Sequence, residues 1–492
     1  VKDPSLLVSV IPILFLIVLL IGSVLVFKDS ATSGPSQVAL MLGGFFAAAL
    51  AFLHGAKWAD MERQILHSIG IVAQAILILI LVGSLIGTWI LAGVVPSLIV
   101  WGLEILSPKI FLFAAAVITS IISLATGSSW STVGTMGLAL IGIGNTMGIH
   151  PGLSAGAIIS GAYFGDKMSP FSETTNLASS MVKTDLFVHI RHMVYTTGPA
   201  MVIALILYLI IGFSLDVKGY DPSRIDLVVA SINKNFNISF WMLMPIVILF
   251  GLIAVKISAI PALIIGTITG GIFAAIFQPD AILQLSGKES GYNYFFVATK
   301  AVFQVSANGY IGHTGLKEVD ELLTRGGMAS MLNTVWIILM AMFFSGIMEG
   351  SRMLHTLANS ILKLAKSTGS LVLSTILTAI FMNVMAADQY LSIVITGRMY
   401  DEAYRKRNLK PRNLSRTLED AGTLTSPLVP WNTCGAFMSS TLGVPTIEYI
   451  PYAFLNIINP VISVIYGYTG FTIHYFQDEF AEKNEDTVES TK

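Results

Sequence analysis

Ser160-Gly161-Ala162-Tyr163-Phe164-Gly165-Asp166-Lys167-Met168-Ser169-Pro170-Phe171-Ser172-Glu173-Thr174-Thr175-Asn176 is a polar, charged run set inside apolar sequence. Two carboxylates, several hydroxyls and an amide oxygen are costly to bury in hydrocarbon unless something polar needs them there. The run therefore points to an ion pathway through a membrane protein.

Composition outside the run agrees. The 492-residue chain is 54% hydrophobic and 12% charged, with a mean hydropathy of +0.76, far from a soluble average. Apolar segments at 6–27, 36–53, 70–92, 110–126, 133–149, 193–213, 240–257, 259–277, 331–348, 370–387 and 449–470 each approach the roughly 20 residues that cross a bilayer. The expected fold is an all-α polytopic membrane protein of eleven to thirteen transmembrane helices. The first segment, too long for a signal-peptide core and without a small-residue cleavage site, reads as a retained span. A single transmembrane domain is expected over 1–476, and an acidic, disordered tail over 477–492.

A net charge of −1 and a pI near 6.8 offer no basic stripe for nucleic acid. The one strongly basic connection, 398–416, carries Arg398, Arg405, Lys406, Arg407, Lys410, Arg412 and Arg416, and the positive-inside rule assigns it to the cytoplasm. The lone cysteine, Cys434, excludes an intramolecular disulfide and a cysteine-rich metal site.

Two halves, roughly 36–214 and 240–470, carry similar interruptions. Ala125-Thr126-Gly127-Ser128-Ser129-Trp130-Ser131-Thr132 precedes Ser169-Pro170-Phe171 in the first, and Asn383-Val384-Met385-Ala386-Ala387-Asp388 precedes Ser426-Pro427-Leu428 in the second. Ser129 and Asp388 stand 259 positions apart, and Ser169 and Ser426 257. Such a duplication is the usual trace of a secondary transporter with its site at the repeat interface. Whether the repeats are inverted depends on an odd number of spans between equivalent points.

Gly, Pro and hydroxyl clusters break helices and present oxygen atoms at membrane depth. Asp166 and Asp388 are the leading cation- and proton-binding candidates, since a carboxylate inside a span is expensive unless it has a task. Glu173, Ser128, Ser129, Thr132, Ser169, Thr175, Asn176, Asn383, Thr425, Ser426 and Asn432 would complete an oxygen shell for a hard cation such as Na⁺. The bland readings are a Ser/Thr helix contact at 126–132, an ion pair for Asp166 and a neutral hydrogen-bonded Asp388. Lys167 is not the natural partner of Asp166, because adjacent helical residues do not face each other. Asp420, at the end of the basic connection, reads as a solvated helix cap, and His313 as a loop histidine. No arginine stands securely inside a span, which favours cations over carboxylate substrates.

The run from Gly161 to Pro170, continuing through Thr174-Thr175-Asn176 to Asp185-Leu186-Phe187-Val188-His189-Ile190-Arg191-His192, resembles the signature of the NhaC-type Na⁺/H⁺ antiporters. So do Ala387-Asp388-Gln389-Tyr390, Gly397-Arg398-Met399, Ser415-Arg416-Thr417-Leu418-Glu419-Asp420 and Pro430-Trp431-Asn432-Thr433-Cys434-Gly435. Glu173 stands where that family's pattern has Asp. The resemblance implies inverted repeats with unwound helices and re-entrant hairpins in a bacterial inner-membrane protein, without enzymatic activity or cofactor. It implies exchange of cytoplasmic Na⁺ for external H⁺ by alternating access. The same family holds exchangers of malate with protons against lactate with Na⁺, which leaves that alternative open. Expected partners are Na⁺ and H⁺, with Li⁺ or malate and lactate as variants, the lipid bilayer and a second copy of the chain, but no nucleic acid. An intramembrane aspartyl protease also needs two Asp within spans. Tyr163 occupies the first Gly of its Gly-x-Gly-Asp motif, and Asp388 is not preceded by Tyr.

Overall fold

The computed structural model describes residues 4–27, 33–215, 222–286 and 293–476; the acidic tail lies outside the described residues. It is built from helices, with only two isolated β-bridges, Tyr310 to Arg325 and Leu409 to Tyr475, among the described residues. Among the described residues, eight helices are long and apolar enough to cross a membrane, or ten if the bent pairs Ile225–Asn235 with Phe240–Ala254 and Thr446–Tyr452 with Phe454–Thr469 each count as one. That is fewer than the eleven to thirteen expected. The segment at 133–149 is divided into Ser129–Thr132, a π turn Val133–Gly137 and Leu138–Thr146, and no piece is long enough alone. The helix Pro151–Met168 is long enough, but it is buried along most of its length. A helix sheathed by protein needs no lipid-facing apolar surface, so hydropathy is a poor guide to it.

The basic connection 398–416 is not a loop. Arg398 to Lys406 form the last turns of Gln389–Lys406, and Pro411–Leu418 follows after a short turn.

The backbone shows a repeat more regular than the side chains do. Helix N-caps fall in pairs 260 positions apart: Ser107 with Ser367, Ser128 with Asp388, His150 with Lys410, Ser172 with Asn432 and Asp185 with Pro445. Left-handed residues pair at the same spacing: Gly127 with Ala387, Gly148 with Asn408 and Lys183 with Gly443. Equivalent contacts recur too. Ser123 Oγ donates to Ala162 O at 2.6 Å, and Asn383 Nδ2 to Gly422 O at 2.7 Å. The spacings of 259 and 257 were therefore slightly out of register. Ser128, not Ser129, is the counterpart of Asp388, and Ser426 is the counterpart of Asp166.

Each unit breaks its helices twice. Pro108–Thr126 stops at Gly127, whose φ of +70° suits glycine; a Cβ there would also lie 2.7 Å from the Phe171 backbone. Thr368–Met385 ends beside Ala387, which holds φ +54° with its Cβ present, a strained choice for an L-residue. The second breaks are Ser169 to Ser172 and Leu424 to Asn432, each containing a proline.

Candidate ion-binding site

At all four breaks the following half-helix is capped from its own chain. Ser128 Oγ accepts from Ser131 N at 3.1 Å, Ser172 Oγ from Thr175 N at 3.4 Å, and Asn432 Oδ1 from Cys434 N at 3.0 Å. Asp388 Oδ1 accepts from Tyr390 N at 2.9 Å and Leu391 N at 3.1 Å, while its Oδ2 accepts from Thr433 Oγ1 at 3.1 Å. The amides that could attract an anion are thus partly satisfied internally.

Three of these half-helix starts meet a cavity of about 610 Å³. Its polar lining includes Ser128, Asp166, Glu173, Thr174, Asn176 and Gln389. Asp166, 6% exposed, is fixed by Ser129: its Oδ2 accepts from Ser129 N at 3.0 Å and Ser129 Oγ at 2.6 Å. The equivalent pair in the second unit is Ser426 Oγ donating to Gln389 Oε1 at 3.4 Å. Glu173 is exposed to the cavity and accepts from Tyr390 Oη at 2.7 Å, which links the two units across it.

The remaining expected residues divide by position. Ser129 supports Asp166 from behind. Thr132 donates to Ser128 O at 2.9 Å and Thr175 to Lys167 O at 3.0 Å, while Ser169 Oγ accepts from Phe171 N at 3.2 Å; these close the first breaks rather than line the cavity. Asn176 does line it, with its amide donated to Pro170 O and Ser172 O. Asn383, Thr425 and Asn432 knit the second breaks together: Asn383 Nδ2 donates to Thr425 Oγ1 at 2.9 Å, and Asn432 Nδ2 to Asn383 O at 3.0 Å. Asp388, 1% exposed, does not line the cavity, although Gln389 and Tyr390 beside it do.

Several buried groups escaped the sequence reading. Asp420 is not a solvated cap. It is fully buried in the π turn Glu419–Thr423 and ion-paired to Lys167, which is fully buried as well. Thr196 Oγ1 at 3.0 Å and Asn459 Nδ2 at 2.8 Å also donate to Asp420. Arg416 is likewise fully buried, which corrects the expectation that no arginine lies inside. Its guanidinium meets His192 and Thr472 and stands 4.0 Å from Asp420, away from the cavity lining. Lys256 does line the cavity, its ammonium 5.6 Å from the centre of the Phe171 ring. The Ser415-Arg416-Thr417-Leu418-Glu419-Asp420 motif already held the signal, but its place after a basic segment read as surface. His313 is exposed in a loop, as expected.

Among the described residues no three His, Cys, Asp or Glu side chains gather as a metal site. A cation here would rely on one or two carboxylates with hydroxyl and carbonyl oxygens, a set that suits a hard monovalent ion bound weakly enough to leave.

Broken helices in two equivalent units, capped N-termini and a carboxylate-lined cavity at their junction define a secondary transporter of the membrane. Comparison with known proteins gives the family. The Na⁺/H⁺ antiporter family model matches residues 161–471, and the chain belongs to that family. It is 40% identical to the malate-2H⁺/Na⁺-lactate antiporter of Bacillus subtilis, covering 94% of this chain and 96% of that one. It is 37% identical to the Na⁺/H⁺ antiporter NhaC of Alkalihalophilus pseudofirmus over 89% of this chain and 90% of that one. To the arginine/ornithine antiporter ArcD of Halobacterium salinarum it is 35% identical, covering 99% and 97%. The chain is thus a multi-pass membrane antiporter and not an enzyme.

Proposed function

We propose that this antiporter exchanges Na⁺ for H⁺, with Asp166 as the group that binds either ion. The observation that carries this reading is Asp166 on the cavity wall. It is held by Ser129 and surrounded by half-helix starts whose amides already have acceptors of their own. Such a wall offers a cation a carboxylate and hydroxyls, and its helix starts offer an anion few free amides. Ionised Asp166 binds Na⁺ together with cavity oxygens from Ser128, Thr174 and Glu173; a proton on Asp166 removes that attraction and releases the ion. Occupancy by one ion or the other accompanies the switch between inward- and outward-open states. Asp388 contributes by fixing the start of Gln389–Lys406, so that Gln389 and Tyr390 face the cavity, and by presenting charge one layer behind it. The units are read as inverted repeats, and the basic 398–416 end as cytoplasmic in a bacterial inner membrane.

A second reading rests on two features of the same cavity. At about 30 Å³ per water, its 610 Å³ greatly exceeds the needs of one cation, and Lys256 supplies a positive charge on its wall. Both would suit a small carboxylate carried with the cation, the substrate class in the name of the Bacillus subtilis malate-lactate relative.

The test of the first reading is Asp166→Asn in proteoliposomes. The variant should insert in the membrane at the wild-type level and lose Na⁺-driven proton movement. Full exchange by the variant would remove Asp166 from the role.

A further inference from the structure

Arg325 lies outside the ion cavity, in the connection between Lys317–Leu323 and the 3₁₀ turn Met328–Met331. Its backbone is pinned from two sides. Tyr310 N donates to Arg325 O at 3.0 Å and Arg325 N to Tyr310 O at 3.1 Å, while the neighbouring Gly327 N donates to Gly83 O of Trp58–Leu91 at 2.6 Å. Its side chain reaches the end of the half-helix Thr433–Leu442, where Nη1 donates to Leu442 O at 2.9 Å. Gly443 leaves room for it, since a Cβ there would lie 2.7 Å from Nη1. The guanidinium is thus fixed in place before any ligand arrives.

That placement leaves a positive charge without a counter-charge. The bond to Leu442 uses one of the five N–H donors of the guanidinium, and among the described residues no carboxylate pairs with it. Burial pushes its pKa below the usual arginine value. Arg325 lines a second pocket, of about 290 Å³, none of whose lining residues belongs to the ion cavity. Asn145 adds an amide to this pocket, Glu318 and Glu321 add carboxylates, and the buried Val228 and Val319 add apolar surface. Glu321 also meets Lys317 at 3.6 Å, but both side chains are well exposed and such a pair holds a carboxylate only weakly. The pocket and the basic connection 398–416 lie at opposite ends of Phe454–Thr469. Its bent partner Thr446–Tyr452 begins just after Gly443, and beyond Thr469 the chain meets the connection through Lys410 N donating to His474 O at 2.9 Å.

A plain anion would meet Arg325 but also the two glutamates, and a plain cation would meet the glutamates but also Arg325. A molecule that carries both charges satisfies both walls. We propose that this pocket binds the zwitterion of an α-amino acid with an apolar side chain. The carboxylate takes the free N–H groups of Arg325 and the Asn145 amide, a charge-assisted contact that the planar guanidinium can make with two bonds. The ammonium is held by Glu318 and Glu321, and the side chain covers Val228 and Val319. At roughly 30 Å³ per water the pocket holds about ten waters, close to the number of non-hydrogen atoms in leucine.

The site does not depend on the Na⁺/H⁺ reading. The test is calorimetric titration of the full chain, purified in detergent, with L-leucine, with 4-methylpentanoate, which lacks the ammonium, and with 3-methylbutylamine, which lacks the carboxylate. Leucine should bind saturably, and each analogue at least about tenfold more weakly, as loss of a charge-assisted bond implies. Arg325→Gln should weaken leucine by a similar factor, and Asp166→Asn should leave leucine binding unchanged. Absence of saturable leucine binding, an analogue that binds as tightly as leucine, or full affinity in Arg325→Gln overturns the proposal. Loss of leucine binding in Asp166→Asn overturns it as well, by placing the ligand in the ion cavity. Should Arg325→Gln fail to fold, the double variant Glu318→Gln with Glu321→Gln carries the test. It should bind leucine no better than 4-methylpentanoate, and unchanged leucine affinity in it overturns the proposal.

Discussion

Gly165 precedes Asp166 at a close contact between Pro151–Met168 and Pro108–Thr126, and Gly165→Ala tests how tightly that contact holds the ion site. A Cβ at Gly165 would collide with Leu124 N and Ser120 O and come within 2.6 Å of Ser123 Cβ. The first two are backbone atoms of a helix, which cannot rotate out of the way. Ordinary van der Waals separation returns only if the helix withdraws by roughly 1 Å. The same displacement stretches the 2.6 Å contact between Ser129 Oγ and Asp166 Oδ2 beyond hydrogen-bond range. A hydrogen bond to a charged group contributes about 1.5–3 kcal/mol. Its loss disfavours the ionised Asp166 that Na⁺ requires, so half-saturation by Na⁺ should rise about ten- to a hundredfold. Overpacking should add a stability loss of about 1–3 kcal/mol. The assay is Na⁺ titration of proton movement in proteoliposomes, with thermal unfolding of the same preparation in detergent. Gly70→Ala is the control, since a Cβ at Gly70 meets nothing within 4 Å; it should keep wild-type affinity. Wild-type Na⁺ affinity and unfolding temperature in Gly165→Ala would refute the reasoning.

Other perturbations have distinct signatures. Lys167→Met removes the partner of buried Asp420 and should cost towards the lower end of about 3–5 kcal/mol, because Thr196 and Asn459 still bond Asp420; thermal unfolding within measurement error of wild type would contradict this. Gly127→Ala should destabilise while Ala387→Gly should not, because the equivalent turns differ in whether a Cβ is already accommodated; equal melting shifts would undo the comparison. Protons and Na⁺ compete for Asp166, so the Na⁺ concentration for half-maximal exchange should rise as pH falls, by about tenfold per pH unit where the proton dominates. A flat profile would exclude a shared site. Lys256→Gln should leave Na⁺-driven proton flux intact under the cation reading, and should weaken malate or lactate transport under the carboxylate reading.

The membrane class and the two Gly- and Ser-rich interruptions were legible because lipid forces apolar composition and broken helices force Gly, Pro and hydroxyl residues. Asp166 was legible for the same reason, as a charge that hydrocarbon does not tolerate. The repeat register was only half legible. Its equivalences lie in caps and left-handed turns filled by different side chains, such as Ser128 and Asp388 or Gly127 and Ala387, and matching by residue type slipped by one to three positions. Lys167 with Asp420, and Arg416 with His192 and Thr472, were hidden because their partners lie far away in sequence. Asp420 also follows a basic stretch that resembles a surface loop, and only folding brings Lys167 across 253 positions to it.

The most direct measurement is proton movement into proteoliposomes loaded with a pH dye when Na⁺ is added alone, with malate and lactate added in parallel. The account predicts proton flux with Na⁺ alone, abolished by Asp166→Asn. Flux that requires malate and lactate on opposite sides would contradict it and identify the carboxylate-exchanging mode.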